Sequence, residues 1–321
     1  MKLAMGLLAA VVGGALLGPA GVLLAQEPFP QKPIEITVLF PAGSSADITA
    51  RVLAEGMARQ LGVNVLVVNR PGAGGAVGYK YVAGQKPDGY SLVWNSNSIS
   101  TTYHSGQLGF DYRAFDAVAR VLVESPLLAV RGDAKWKSLG EFIADAKARP
   151  GKITVANSGT GSHTHISSVA LFRAASVEVS DVPYGAGQVV PNLLGGHVDA
   201  TVQLPGALSS HVKSGAVRVL AALIPRRDPA LPEAPTALEQ GVDVSLEAWR
   251  GIAVPKGTPI GAVAVLEHAI RRTVESAEFI RSSEKYAVRP AFLPSAEFGQ
   301  LIVKEDAELA RLMLSIGLKK P

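Results

Sequence analysis

Cysteine is absent from all 321 residues. Its absence excludes disulfides, thiol catalysis and thiolate-held metals, and also a lipid anchor, which needs a cysteine to acylate. Aromatic residues are few at 6%, and charged residues reach only 18% against 48% hydrophobic. That balance excludes a disordered chain, which carries more charge and less apolar material. The formal net charge is only +4, and basic residues cluster no further than doublets such as Arg226-Arg227 and Lys319-Lys320. A nucleic-acid partner calls for a basic stripe or patch, so none is expected. What the chain does have is 33 Gly and 21 Pro, residues of turns and loops. At about 100–200 residues per domain, the length predicts two domains, each able to bury a core.

The first 26 residues stand apart. Met1-Lys2 is a minimal positive start, and Leu3 to Gln26 holds no charge. Residues 1–25 read as a signal peptide cleaved after Ala25, with Gly18-Pro19-Ala20 as a second cleavage candidate. About 20 apolar residues would also suffice to span a bilayer. Against an anchor stand Gly13-Gly14 and Gly18-Pro19, a poor membrane helix, and the lack of a basic stop-transfer cluster. The mature chain is therefore expected to be exported and soluble.

Beyond it, short β-branched runs alternate with longer amphipathic ones. Strands are predicted at Ile34 to Phe40, Asn64 to Val68, Tyr90 to Trp94, Lys152 to Ala156, Val177 to Val182, Val198 to Val202 and Val217 to Leu223. Helices are predicted from Ile48 to Leu61 and at His163 to Ala174, Gln188 to Leu194, Gly206 to Ser214, Pro259 to Ser276 and Ser295 to Ile316. Strands alternating with helices predict parallel α/β sheets. Candidate domain crossings lie near Ser125-Pro126 and Trp249-Gly251. Two crossings imply a first domain of residues 26–126 and 250–321, with 127–249 inserted as the second.

Several motifs suggest chemistry that the residues then deny. Gly72-Ala-Gly74-Gly75-Ala-Val-Gly78 follows a strand, but a dinucleotide fingerprint needs its third glycine where Val77 stands. Nor does a Gly-Lys-Ser/Thr phosphate loop follow. A turn with glycines in unusual backbone conformations fits Asn69 to Gly72 better, and no cofactor is expected. Ser162 and His163 are adjacent, yet the Gly-x-Ser-x-Gly elbow is broken by Thr160, and helix neighbours point in different directions. His163 and His165 are two apart and cannot share a helix face, so no metal is expected. The plainer reading is a helix-capping Ser162 followed by two partly exposed histidines.

One feature recurs: a polar, glycine-rich loop that leaves a strand and feeds a helix N-terminus. It occurs at Gly43 to Asp47, at Ser158 to Ser162 and at Tyr184 to Gly187. Such termini carry unpaired N–H groups and about half a positive charge, which suits a carboxylate. The loops hold no Lys or Arg, so the anion would be held mainly by neutral donors. Asp47 is expected to pair with Arg51, four residues on.

In order along the chain stand Lys32-Pro33-Ile34, Phe40-Pro41-Ala42-Gly43 with Asp47, Asn69-Arg-Pro-Gly-Ala-Gly-Gly75 and Pro87-Asp-Gly-Tyr90. There follow Ala148-Arg-Pro-Gly-Lys152, Ser158-Gly-Thr-Gly-Ser162 with His165, Val182-Pro-Tyr-Gly185, and Leu194-Gly-Gly196 with Val198-Asp199. Leu231-Pro-Glu-Ala-Pro-Thr236, Trp249-Arg-Gly251 and Val254-Pro-Lys-Gly-Thr-Pro259 complete the series. With these motifs the chain resembles the Bug-type extracytoplasmic solute receptors of the tripartite tricarboxylate transporter family over nearly its whole mature length.

The resemblance implies an α/β fold of the type II periplasmic-binding-protein kind, two domains with a ligand cleft between them. It implies a periplasmic, monomeric, non-enzymatic receptor with no cofactor or metal, which delivers a small organic carboxylate to a membrane permease. By position, the ligand-binding residues would be Ala42, Gly43, Ser44, Ser45 and Asp47 of the first loop, and Ser158, Gly159, Thr160, Gly161, Ser162 and His163 of the second. Tyr184 and Gly185 would close the pocket, and Asn95, Ser96 and Gln203 would line it. The family's common Phe-Pro-Pro-Gly-Gly is replaced by Phe40-Pro41-Ala42-Gly43-Ser44, which alters loop stiffness and adds a hydroxyl. Two other readings stay open: a receptor signalling through a membrane sensor, and an exported α/β hydrolase using Ser162.

Overall fold

The computed structural model describes residues 29–319, so the expected signal peptide lies outside the described residues. The chain opens with β1 (Ile34–Val38), α1 (Ser45–Leu61), β2 (Val65–Asn69), α2 (Ala76–Ala83), β3 (Ser91–Ser96) and α3 (Ser98–His104). Then β4 (Phe115–Glu124) runs almost directly into β5 (Leu127–Arg131), with only Ser125-Pro126 between. There follow α4 (Leu139–Ala148), β6 (Thr154–Asn157), α5 (His163–Ala174), β7 (Ser180–Pro183), α6 (Ala186–Leu194), β8 (Ala200–Gln203), α7 (Pro205–Lys213) and β9 (Val217–Ala222). The chain closes with β10 (Ala248–Pro255), α8 (Ile260–Val274), α9 (Ala277–Lys285), β11 (Arg289–Pro294) and α10 (Ser295–Ser315).

These strands form two sheets, ordered β11-β4-β10-β3-β1-β2 and β7-β6-β8-β5-β9. Both are mixed rather than purely parallel. In the first, β1 pairs parallel with β2 and β3, whereas β10 runs antiparallel to both β3 and β4. In the second, β6 pairs parallel with β7 and β8, and β5 is antiparallel to its neighbours. The antiparallel members belong to the crossings: a strand that leaves one sheet and enters the next needs no helical return.

Alternation places the cores. Along β5, Leu128 and Val130 join a cluster with Phe142, Leu171 and Val202 on one face. Leu127 and Ala129 join Val189, Leu193 and Leu208 on the other, so this sheet is covered on both sides. The first sheet buries Ile34, Ile36, Leu92 and Trp94 against Leu53, Met57 and Leu266. Helix α10 reaches across: Phe298 meets Trp249 edge to face at 5.0 Å, while Met313 and Ile316 pack on Ile166 of α5.

The crossings lie side by side. Ala248, the first residue of β10, pairs with Glu124, the last of β4. Two adjacent antiparallel strands thus connect the sheets, the arrangement of a hinge. The loops at the C-terminal ends of β1, β3, β6 and β8 face one another above it.

Candidate functional site

The first loop is built to start a helix. Ser44 caps α1, its Oγ accepting from Asp47 N at 3.3 Å, while Asp47 Oδ2 accepts from Gly43 N at 3.0 Å. This reciprocal pair resembles a capping box with Asp at the third position. Gly43 takes φ +78, where a side chain would be strained. Asp47 also binds Arg51 at 2.8 Å, as the four-residue spacing led us to expect, and accepts from Asn69 Nδ2 at 2.9 Å. Burial alone would push the Asp47 carboxyl up, but its hydrogen bonds to Arg51, Gly43 and Asn69 together hold it below the usual carboxylate range. The N–H groups of the first turn of a helix lack helical partners, and here the cap takes only that of Asp47.

The second loop repeats the device with a histidine. Ser162 caps α5, accepting from His165 N at 3.2 Å, and His165 Nδ1 accepts from Gly161 N at 3.2 Å. That fixes the tautomer, so His165 Nε2 bears the proton and faces Asp181 Oδ2 at 3.4 Å. Asn157 Oδ1 accepts from Gly159 N and Thr164 Oγ1 from Ser158 N, both at 3.0 Å. Burial holds His165 below the usual imidazole range despite Asp181. His163 is pushed down to about 3, by burial and then by the nearby Arg250. The partial exposure expected of these two histidines is corrected: both are buried, because α5 runs beneath the cleft between the sheets. The capping role of Ser162 holds.

The two helix starts, from opposite sheets, meet at one inner pocket. The pocket is narrow and lined by Ser44, Ser45 and Ala46 from one side and by Ser158, Ser162, His163 and Thr164 from the other. Gln203 and Leu204 at the end of β8, and Ser96, Asn97 and Ser98 after β3, complete most of the wall. Gln203 Nε2 donates to Ser158 Oγ at 3.0 Å. An outer cleft continues from it, sharing Phe40 and Ser158 and bounded by Gly159, Thr160, Tyr184 and Gly185.

Of the residues singled out from sequence, Ser44, Ser45, Ser96, Ser158, Ser162, His163 and Gln203 line the inner pocket. Gly159, Thr160, Tyr184 and Gly185 line the outer cleft. Five lie in neither. Ala42 and Gly43 form the turn before α1, and Asp47 ties that turn to Asn69 and Arg51. Asn95 accepts from the Tyr79 hydroxyl at 2.7 Å and borders a separate depression beside Phe115. Gly161 sits on the far side of its loop, near Ser105 and Gln107.

The two sides touch at glycines. A Cβ on Gly206 of α7 would lie 2.3 Å from Ser45 Oγ, and one on Gly74 would lie 2.9 Å from Thr160 O. Gln107 Nε2 donates to Thr160 O at 2.8 Å across the same gap. The two sides therefore approach closely here, where larger side chains would hold them apart.

Sequence reasoning missed the charged pair at the inner end. Arg250 of β10 lines the pocket, and its Nε donates to Glu124 Oε2 at 3.0 Å, while Ser45 Oγ donates to Glu124 Oε1. To the mainly neutral donors expected from the loops, the pocket wall adds one cation, which comes from a crossing strand and not from a loop. Both residues are lone charges in apolar runs, Val-Leu-Val-Glu124 and Ala-Trp-Arg250-Gly-Ile, each at a crossing. That was the available signal.

Chemically, the arrangement offers two helix N-termini, a set of hydroxyls and amides, and one guanidinium. Among the described residues no group of three His, Asp or Glu is placed to hold a metal. Nor does any helix of the described residues have the length and apolarity to cross a membrane.

Comparison with known proteins agrees with this geometry. The profile of the tripartite tricarboxylate transporter family receptor matches residues 49–318. Protein BugT of Bordetella pertussis is 30% identical over 314 residues, covering 95% of this chain and 96% of its own length. The structure of the periplasmic binding protein BugD aligns with a TM-score of 0.87 at 28% identity, covering 91% of this chain and 100% of BugD. MatC from Rhodopseudomonas palustris with bound malate aligns with a TM-score of 0.81 at 26% identity, covering 88% of this chain and 99% of MatC. The two-sheet α/β architecture is that of these periplasmic binding proteins.

Proposed function

We propose, from the premise that this chain belongs to the tripartite tricarboxylate transporter family of receptors, that it captures a small organic carboxylate in the periplasm and delivers it to a permease of that transporter type. The observation that carries this reading is the meeting of α1 and α5, two side-chain-capped helix N-termini from opposite sheets, on one buried pocket of hydroxyls and amides. Each terminus contributes about half a positive charge, and the carboxylate nearest the first loop, Asp47, is turned into Arg51 and Asn69. Malate bound to MatC, a relative of the same fold, is consistent with such a ligand.

The magnitudes suffice. A hydrogen bond to a charged group contributes about 1.5–3 kcal/mol net, and a micromolar complex needs about −8 kcal/mol. Four to six such bonds, less ordering and desolvation, reach that range, and closure excludes the water that would weaken them. We assign residues 26–126 with 250–321 to one moving body and 127–249 to the other, hinged where β4 and β10 cross, and we take the protein to act as a monomer. The ligand-gripping residues are the pocket-lining Ser44, Ser45, Ser96, Ser158, Ser162, His163 and Gln203, with Tyr184 and Gly185 over the entrance.

A receptor rather than a hydrolase is supported by the state of Ser162. Its Oγ accepts from His165 N and lies 3.1 Å from Thr164 Oγ1, while the His163 ring faces Ser167 at 3.4 Å. No ring nitrogen is bonded to it as a base among the described residues.

The test is a thermal-shift screen of refolded protein against a panel of carboxylates, each paired with its neutral amide. Refolding removes any co-purified ligand. A ligand at a hundred times its dissociation constant adds about 2.7 kcal/mol, a shift of several degrees for domains of this size. A carboxylate that stabilises while its amide does not supports the reading. Stabilisation by amides alone contradicts it.

A further inference from the structure

We propose that Arg250, set in place by Glu124, is the residue that grips the buried carboxylate of the ligand through its free guanidinium edge, so that it determines selectivity for an acid over its neutral amide. This inference rests on the carboxylate-receptor reading and names a residue that sequence reasoning did not assign.

Register brings the pair together. Arg250 is opposite Leu122 of β4 and Ala248 is opposite Glu124, so Arg250 and Glu124 are diagonal neighbours on one face of the sheet. On its other side Arg250 is opposite Ser96 of β3. The side chain is buried at 5% exposure and Glu124 at 0%. A guanidinium has five N–H donors, and among the described residues the only hydrogen bond of this side chain is from Nε to Glu124 Oε2. The two terminal nitrogens are left for the pocket that Arg250 lines. Four N–H groups at the wall of one cavity suit a planar acceptor of two oxygens. A carboxylate matches that fork in bidentate fashion.

A second, independent group makes the same demand. Ser98, 1% exposed and lining the same pocket, has an Oγ with no hydrogen-bond partner. Opposite, His163 is uncharged, which leaves Arg250 as the cation of this pocket among the described residues. Glu124 acts through Arg250: Nε and the Ser45 hydroxyl occupy its two oxygens, anchoring the guanidinium to the start of α1. It is a positioning residue and does not face the ligand. The Phe40 ring, 5.7 Å from Arg250 Cζ, covers one side of the guanidinium.

Calorimetric titration of refolded protein with succinate, malate, adipate and benzoate, each against its amide or half-amide, tests the assignment. Removing one charged partner leaves the other buried alone, so the informative variant is the double Glu124→Gln/Arg250→Gln, with ligand-free melting to confirm folding. Wild type is expected to bind at least one of these acids about 10–100-fold more tightly than its amide, as one charge-assisted pair implies. In the double variant that preference is expected to fall to within about threefold. Glu124→Gln alone, whose amide oxygen still accepts from Nε, keeps the preference. Glu124→Leu lowers it, which a merely structural role would not do.

Should the double variant fail to fold, Arg250→Lys retains the charge without the fork, and an undiminished acid preference there overturns the proposal. A folded double variant that keeps the wild-type preference also overturns it, and reduces the pair to a pin between crossing strands. Wild type binding none of the acids overturns the carboxylate reading itself, and this assignment with it.

Discussion

Gly206→Ala separates closure from folding, because its effects on the two should have opposite signs. Gly206 lies in the first turn of α7 without positive φ, so alanine suits its backbone. Replacing a helical glycine by alanine favours the helix by up to about 1 kcal/mol. Across the cleft, however, the new methyl would lie 2.3 Å from Ser45 Oγ, 3.0 Å from Ser45 Cβ and 3.1 Å from Ser45 Cα. The last of these belongs to the backbone of α1, so a rotamer change cannot relieve it. Overpacking of this kind costs about 1–3 kcal/mol. The open form escapes that cost, since the two helices belong to different sheets. A ligand that binds the closed form then loses the same free energy, which is about 5–150-fold in affinity. Calorimetry with the best carboxylate from the thermal-shift panel reads the affinity, and ligand-free melting reads stability. The expected result is weaker binding with an unchanged or higher melting temperature. Unchanged affinity would refute the argument that this contact forms only on closure, and a large loss of ligand-free stability would place the contact in the open form too.

Ser162→Ala removes the cap of α5 and should cost about 1 kcal/mol of stability in thermal or urea unfolding. The same variant should leave any hydrolysis of ester substrates at the wild-type background, and a specific loss of turnover would revive the hydrolase reading. Glu305 of α10 accepts from Asn97 and from the Trp249 indole, and burial pushes its carboxyl up to about 7 from 4.5. Between those values the folded state holds the proton that the unfolded state releases, so this group makes stability fall as pH rises from about 4.5 to about 7, by at most about 3 kcal/mol. Glu305→Gln should flatten that part of the curve relative to wild type, seen as a melting-temperature difference that grows toward pH 7. Parallel curves would show that Glu305 titrates normally.

Local rules made much of this protein legible. The cap at Ser162, the start of α5 at His163 and the Asp47–Arg51 pair were readable from neighbouring residues, whereas α1 begins at Ser45, three residues before its apolar pattern at Ile48. Boundaries slipped where apolar residues pack without pairing. Val177 and Val179 read as strand, yet they lie under the second core, and β7 spans only Ser180–Pro183. Helix α6 begins at Ala186, two residues before the apolar pattern starts. The mixed sheets escaped because an apolar run such as Phe115–Glu124 has a period but no direction, so parallel and antiparallel partners look alike.

The site divided along the same line. Its loops were readable because each is contiguous, whereas Arg250 and Glu124 are 126 residues apart and meet only through the register of two crossing strands. Asn95 went the other way. Neighbouring residues on a strand face opposite sides, so Ser96 looks into the cleft while Asn95 turns to Tyr79.

Capture requires that two bodies close over a carboxylate. Small-angle scattering tests it most directly, on refolded protein alone, with the best carboxylate at saturation, and with that ligand's amide at equal concentration. A smaller radius of gyration is expected with the acid and no change with the amide. Saturated acid binding at a constant radius would contradict capture by closure, and equal contraction with the amide would contradict recognition of the anion.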